Sequence, residues 1–470
     1  MGRAGQFFKN AIIISFGTIL PKVAAFIALP LITGALSKED YGTYDLIVTL
    51  VSLLLPVITV QIHMAAFRFL IDERENEEGK REIISNILLF IAATTAIAVV
   101  VMYFALFMLP WQIRLLTCLY YALDVFFNAY QKILRGLSKN KLFSECTVVN
   151  SLVNLLLVYL LIIFTPLRLE AVLIALCISD LVGILYILFR NSDCRRINRN
   201  LLSAKRLRQL LDYSWPMIPD SLSAWVLKFS DRIVLTIFMG VAGNAVYSVA
   251  TKLPNMLLVF HSSISYAWQE NASVASKDEN VSEYYSKMFD AIFSLVSAVI
   301  ALIIAFTPIL FRFFIRGDYG EAYPHIPILL MANYFMCMSS HLAGIYMACK
   351  RTRSIAVTTL AAAAVNLLVD LLLVKGFGIY AASVSTLVSY AFIFVYRLIN
   401  VQSFQKVSYP YGKIVLYTLI LTVMCLMCCS SLLWIKFVNA IAAFAFALVI
   451  NQSQIKTIGE ILKRKLKKEK

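Results

Sequence analysis

The chain has 470 residues, 60% of them hydrophobic and 15% charged, with mean hydropathy +0.78 and a formal charge of +16 at pH 7. Soluble globular proteins run at roughly 45–50% apolar and about 25% charged residues, so a soluble fold is excluded and the chain reads as an all-α membrane protein. No stretch is left for a sizeable polar domain. A nucleic-acid role therefore has no folded site, and the basic excess belongs to topology and to anionic membrane lipid.

Apolar runs near the ~20 residues that cross a bilayer core number fourteen. They lie at approximately 11–36, 43–66, 83–109, 112–134, 145–164, 169–189, 213–239, 245–268, 286–310, 326–348, 355–374, 379–399, 413–433 and 434–450. The first is too long for a signal-peptide core and no small-residue cleavage pattern follows it, so it is expected to stay as span 1. It holds Lys22, beside Pro21 and ahead of Pro30. A charge at bilayer depth costs on the order of 3 kcal/mol on insertion scales. Lys22 has no acidic residue within a turn, which favours an anionic ligand over packing. The prolines permit bending where a cavity or neighbour satisfies the freed backbone groups.

Arg68, past His63 at the inner end of span 2, is a candidate cytoplasmic approach point or a plain positive-inside anchor. Asp124 in span 4 and Asp180 in span 6, with Asp370 in span 11, are the candidates for proton or sodium coupling, since an intramembrane carboxylate is functional by default. The bland alternative is a local ion pair. Residues 190–212 are polar and basic. Within them, Ile197 to Leu211 reads as an amphipathic helix, Leu201, Leu202, Leu207, Leu210 and Leu211 opposing Arg199, Lys205, Arg206 and Arg208. Such a helix is expected in the cytoplasmic interface.

Span 7 carries Lys228, Asp231 and Arg232 at i, i+3 and i+4, which share one helical face. One carboxylate between two cations leaves net positive charge. This suits a phosphate site tuned by Asp231; the competing reading is a network locking span 7 to its neighbours. Lys252 in span 8 is the next cation. Beyond span 14 the tail from Lys463 is polybasic, a topology anchor on anionic lipid.

The halves echo each other. Asn150 to Leu157 repeats as Ala362 to Val369, pairing Asn154 with Asn366; Ala171 to Tyr186 repeats as Ala381 to Tyr396; Lys22 pairs with Lys228. The common offset near 206–212 residues spans six helices, so both copies point the same way, a parallel repeat. The expected architecture is two parallel six-helix lobes around a central cavity plus two extra C-terminal helices. The parts are 1–189 (first lobe), 190–212 (linker), 213–400 (second lobe), 401–452 (spans 13 and 14) and 453–470 (cytoplasmic tail). With both termini inside, cytoplasmic segments hold 32 of the 43 Lys and Arg residues, outer loops seven and spans four, which is the positive-inside asymmetry.

Nine cysteines are scattered, and Cys425, Cys428 and Cys429 sit at membrane depth among Leu, Met and Val. They read as a packed helix face, with no disulfide and no metal site. No Walker-type phosphate loop and no Ser/His/Asp or metal-ligand cluster occurs, so neither a cofactor nor an enzyme activity is expected.

Three local patterns carry a family resemblance. Pro21-Lys22, then Leu29-Pro30-Leu31 and Leu36 through Tyr41-Gly42-Thr43-Tyr44, open the chain. Tyr213-Ser-Trp-Pro216, Asp231, Gly240 and Tyr247-Ser-Val-Ala-Thr-Lys252-Leu follow in spans 7 and 8, and Asn366, Gly376-Phe-Gly378, Ala381-Ala382 and Ser389-Tyr390 in spans 11 and 12. Over almost its whole length the chain resembles the Wzx-type polysaccharide flippases of the MOP exporter superfamily. The arginine usual before the Tyr-Gly turn is missing from Thr33-Gly-Ala-Leu36. The resemblance implies a flippase that carries undecaprenyl-diphosphate-linked oligosaccharide across the bacterial inner membrane by alternating access. An H+ or Na+ gradient or the membrane potential would drive it. Lys22, Lys228, Arg232 and Lys252 would hold the diphosphate, Asp231 would organise them, and Arg68 would lie on the approach. Membrane lipid is a partner, and the polysaccharide polymerase machinery a further one. Two rivals share the fold: a lipid II flippase and a multidrug/cation antiporter, the latter calling for a net acidic cavity.

Overall fold

The protein is known from a computed structural model that describes residues 3–73, 75–195, 201–276 and 278–452, except the side chains of 3–16, 259, 263, 266, 267, 270 and 352. The described residues are helices and short connections. In lipid only helices and closed barrels satisfy every backbone group internally, and all fourteen apolar runs lie on helices. Their contacts divide the chain into two compact units, Met1–Trp225 and Val226–Lys470.

In the first unit α1 (Arg3–Ala35) runs unbroken through Pro21 and Pro30. α2 (Lys38–Ile58) starts where Ser37 Oγ accepts from Asp40 N at 3.0 Å, with Glu39 and Asp40 in its first turn; cap and acidic turn both offset the helix's N-terminal partial charge. The expected span 43–66 is broken. Val60 and Gln61 adopt left-handed φ of 52° and 55°, and α3 (Ile62–Asp72) restarts beyond them. Gln61 donates from Nε2 to Ser221 Oγ at 2.6 Å. α4 (Glu77–Ala105), α5 (Trp111–Gly136), α6 (Asn140–Phe164) and α7 (Leu169–Arg190) follow. α1 packs on α6, α6 on α7 and α5 on α7. Gly17 allows the α1–α6 approach, because a Cβ there would lie 2.4 Å from Ser144 Oγ.

A single turn, α8 (Ser192–Arg195), follows; Lys139 Nζ holds it by donating to Asn191 Oδ1 and Asp193 Oδ2 at 2.6 and 2.8 Å. The amphipathic linker helix begins later than its sequence suggests. Residues 196–200 lie outside the described residues, and α9 runs Ala204–Ser214 because Ser203 Oγ caps Arg206 N at 3.2 Å. α9 belongs to the first unit: Leu210 is buried there and Arg206 pairs with Glu73 and Glu82 at 3.3 and 3.2 Å.

α10 (Ile218–Ala275) holds spans 7 and 8, divided at Gly240, the one residue with non-helical angles inside it (φ 74°, ψ 177°). Its first turns, through Trp225, belong to the first unit, where Trp225 Nε1 donates to Ser52 Oγ at 2.9 Å. The second unit continues with α11 (Val281–Phe314), α12 (His325–Ala348), α13 (Thr352–Phe377) and α14 (Ile379–Val401), α14 packing on both α12 and α13. α15 (Tyr411–Cys428) and α16 (Leu433–Ile450) pack on α11, which separates spans 13 and 14 at Cys429–Leu432. Among the described residues twelve helical stretches are long and apolar enough to cross a membrane. One of these joins spans 7 and 8, and α5, interrupted by Asp124, Asn128, Gln131 and Lys132, is not among them. The polybasic tail lies outside the described residues.

Candidate functional site

Each unit encloses its own polar cluster at membrane depth. In the second unit three helices converge. Asp231 comes from α10 before the Gly240 break and Tyr247 from α10 after it; Asn366 and Asp370 lie one turn apart on α13; Ser385 and Thr386 lie on α14. The break at Gly240 is what lets one helix supply two sides of the site. Asp231 Oδ2 accepts from Tyr247 Oη at 2.6 Å and from Thr386 Oγ1 at 2.7 Å. Asn366 accepts from Ser230 Oγ at 3.1 Å and donates to Ser385 Oγ at 3.4 Å. Asp370 is fully buried, and neither of its carboxylate oxygens has a hydrogen-bond partner. A buried carboxylate that stays ionised without a counter-charge costs several kcal/mol. Asp370 therefore calls for a proton or a small cation.

In the first unit α1, α5, α6 and α7 wall a cavity of about 320 Å³. Pro21 and Ala25 form one side. Tyr120, Asp124, Phe127, Asn128 and Gln131 of α5 form the second; Asn150, Ser151 and Asn154 of α6 face Leu176, Ser179 and Asp180 of α7. On α5 the residues Asp124, Asn128 and Gln131 recur at i, i+4 and i+7, one stripe of one helix. Asn150 Nδ2 donates to Asp180 Oδ1 at 2.8 Å, Asn128 Nδ2 to Asp124 Oδ1 at 3.0 Å, and Asn154 Nδ2 to Ser179 Oγ at 3.5 Å.

The three coupling candidates are thus sorted: Asp124 and Asp180 line one cavity, and Asp370 stands one turn from Asn366 in the Asp231 cluster. The substrate candidates lie elsewhere. Lys22 is exposed, is not part of the cavity wall that Pro21 forms, and has no ion pair among the described residues. Lys228 is exposed and Arg232 buried, and both cations sit over the ring of Phe229, at 4.9 and 5.1 Å from its centroid. Asp231 turns its Oδ2 to Tyr247 and Thr386. Lys252 is half-buried on α10 beyond the break. Arg68 is exposed at the end of α3 and paired with Asp72 at 2.6 Å.

Sequence reasoning missed Thr386, Asn128 and Asn150 as site residues, although the repeat pairs Asn154 with Asn366. It also counted Arg397 with the inner-loop cations. Arg397 is buried within the second unit, where it donates to Thr358 Oγ1, Ser339 Oγ and Thr359 Oγ1 at 3.0–3.1 Å.

A family model described as "Polysaccharide biosynthesis protein" matches residues 7–269. The chain belongs to that family. No curated protein matches it in sequence. Among solved structures it is similar to the lipid II flippase MurJ in an inward closed conformation (TM-score 0.71, 14% identity, 94% of this chain and 100% of that one). It is also similar to an inward-facing multidrug resistance MATE family transporter of the MOP superfamily (0.67, 15%, 84% and 98%). A third likeness is to a MOP superfamily transporter from Pyrococcus furiosus described by the reverse polarity of its binding pocket (0.58, 15%, 84% and 94%). The fold is the one these structures share, and the chain is a multi-pass membrane protein.

Proposed function

We propose that the protein moves an undecaprenyl-diphosphate-linked oligosaccharide across the bacterial inner membrane by alternating access. The observation that carries this reading is Lys22: a cation inside a membrane span, with no carboxylate paired to it among the described residues. A diphosphate leaving water needs Lys or Arg partners, because an unpaired buried charge is prohibitive. Lys22, Lys228, Arg232 and Lys252 would supply them, with Arg68 on the cytoplasmic approach. Family membership supports the polysaccharide link, and the likeness to a lipid II flippase supports a lipid-linked substrate.

The cluster of Asp231, Tyr247, Asn366, Asp370 and Thr386 is the coupling site of this reading. Binding of H+ or Na+ there would neutralise carboxylates that three helices hold, so ion occupancy would bias the packing of α10 against α13 and α14. Both termini would be cytoplasmic, and the polysaccharide polymerase machinery would receive the product outside.

Lys22→Glu and Arg232→Glu are expected to abolish surface polysaccharide while the membrane level of the protein is unchanged, and the lipid-linked sugar should accumulate inside. Normal export by both variants would overturn the proposal. Lipid II is the second substrate, favoured by the likeness to MurJ; identifying the lipid-linked sugar that accumulates in a deletion strain separates the two. Efflux of cationic dyes, lost in the same strain, would point to the antiporter reading.

A further inference from the structure

We infer that Lys132 and Arg135, at the end of α5 that the charge bias assigns to the cytoplasm, form a binding site for the phosphate group of a membrane lipid. The lipid is an anionic phospholipid or the diphosphate-bearing substrate. Only the second source rests on the flippase reading above.

The first observation is charge without a counter-charge. Lys132 and Arg135 lie three residues apart on α5 and share a face of it. Neither makes a hydrogen bond or an ion pair among the described residues. The groups in electrostatic reach of Lys132 are Arg135 and His63 of α3, both basic. Like charges held together at the end of a span repel until an anion joins them.

The second observation is how Arg135 is held. Its guanidinium lies over Phe67 of α3 and Phe143 of α6, 5.1 and 5.7 Å from the ring centroids. Its Nε is buried and has no hydrogen-bond partner. Gly136 brings α5 this close to α3: a Cβ there would lie 2.9 Å from the Ala66 carbonyl oxygen and from Leu70 Cβ. A plain topology anchor carries its charged head into water. Arg135 instead packs between aromatic rings with its N–H donors unused. Such a fork is arranged to meet two phosphate oxygens, and Lys132 adds a point charge beside it. Both side chains remain partly exposed, so a ligand reaches them from the surface.

The repeat shows that the scaffold does not require these cations. Ser138 after α5 and Lys350 after α12 both take a left-handed φ, 58° and 59°. The two turns also carry matching bonds: Ser138 N donates to Arg135 O and Lys139 N to Leu134 O, as Lys350 N does to Met347 O and Arg351 N to Tyr346 O. At the offset that pairs Ser138 with Lys350, Lys132 meets Gly344 and Arg135 meets Met347. The same helix end thus forms in the second unit without either charge.

The test is native mass spectrometry of the purified full-length protein, titrated with dioleoyl phosphatidylglycerol and, separately, with undecaprenyl diphosphate. The Lys132→Gln/Arg135→Gln variant is expected to bind at least one of them about tenfold more weakly than wild type, or weaker still. Lys141→Gln removes an exposed charge from the same end and should bind as wild type does. Weakening for phosphatidylglycerol alone assigns the site to phospholipid, and weakening for undecaprenyl diphosphate assigns it to the substrate. Unchanged binding of both probes overturns the inference, as does equal weakening by Lys141→Gln. If the double variant is not monodisperse, Lys132→Gln alone answers, because that side chain holds no hydrogen bond or ion pair whose loss could unfold the protein. About tenfold weaker binding then supports the site, and unchanged binding overturns it. The flippase reading fails separately: normal export by Lys22→Glu and Arg232→Glu sinks that reading and leaves a phospholipid site standing. Lost export in those variants, with unchanged lipid binding in Lys132→Gln/Arg135→Gln, removes this site alone.

Discussion

Tyr247 reaches Asp231 with one of the shortest side-chain bonds of the second unit, 2.6 Å, and the Thr386 hydroxyl shares its single proton between that carboxylate and the carbonyl of Ala382. A hydrogen bond to a charged group contributes roughly 1.5–3 kcal/mol. Tyr247→Phe is therefore expected to destabilise the protein by about that much, and by much less in an Asp231→Asn background, where the acceptor carries no charge. A double-mutant cycle by thermal or chemical unfolding in detergent reads the difference; strict additivity would mean that Tyr247 does not stabilise the ionised carboxylate. At this scale the sequence is informative about charge and silent about convergence. Lys22, Asp124, Asp180 and Asp370 stand out because each charge is improbable in an apolar span. Thr386 does not, because Ser and Thr hydroxyls are common in helices that cross membranes and hydrogen-bond to their own backbone. Arg397 misleads for the opposite reason: it looks like a loop cation at the end of a span, but α14 continues to Val401 and folds it inward.

The helices long and apolar enough to cross a membrane were readable from hydrophobic runs, since a bilayer imposes one length and one backbone solution. Breaks inside them were harder to see. Span 2 is interrupted at Val60 and Gln61, neither a turn-forming residue, and the interruption is held by tertiary bonds such as Gln61 to Ser221. The start of α9 depends on which serine caps it, a choice that a leucine pattern does not specify. Gly240 is the one break with a local cause. Its angles fall where only glycine sits without strain, and its open surroundings exclude a steric role, with nothing within 4 Å of a Cβ built there. Gly240→Ala should thus cost about 1–3 kcal/mol through the backbone alone, lowering the melting temperature of the purified protein. It should also weaken the Asp231 cluster, because Tyr247 and Asp231 flank the break. An unchanged melting temperature would show that α10 relaxes into a continuous helix at no cost.

Across the whole molecule the distribution of charge is the feature that sequence reveals best. Moving Arg397 from the inner loops into the second unit leaves 31 inside cations against seven outside, from the 32 first counted. The asymmetry is hardly touched, because loop charges, not span charges, set orientation. Two groups inside the count face protein: Arg206 clasps Glu73 and Glu82, and Arg135 lies over Phe67 and Phe143 at 5.1 and 5.7 Å. Even without both, the bias keeps its sign. The chain should therefore insert with both ends in the cytoplasm and the 315–324 connection outside. A green fluorescent protein fused after Lys470 is expected to fluoresce, and alkaline phosphatase inserted after Asp318 to be active. The same enzyme inserted after Ser138 is expected to be inactive, because that loop carries Lys132, Arg135, Lys139 and Lys141 around it. An active fusion after Ser138 together with a dark fusion after Lys470 would invert the topology. It would place Arg68 and the basic linker outside, where a lipid-linked sugar made in the cytoplasm has no first contact with them.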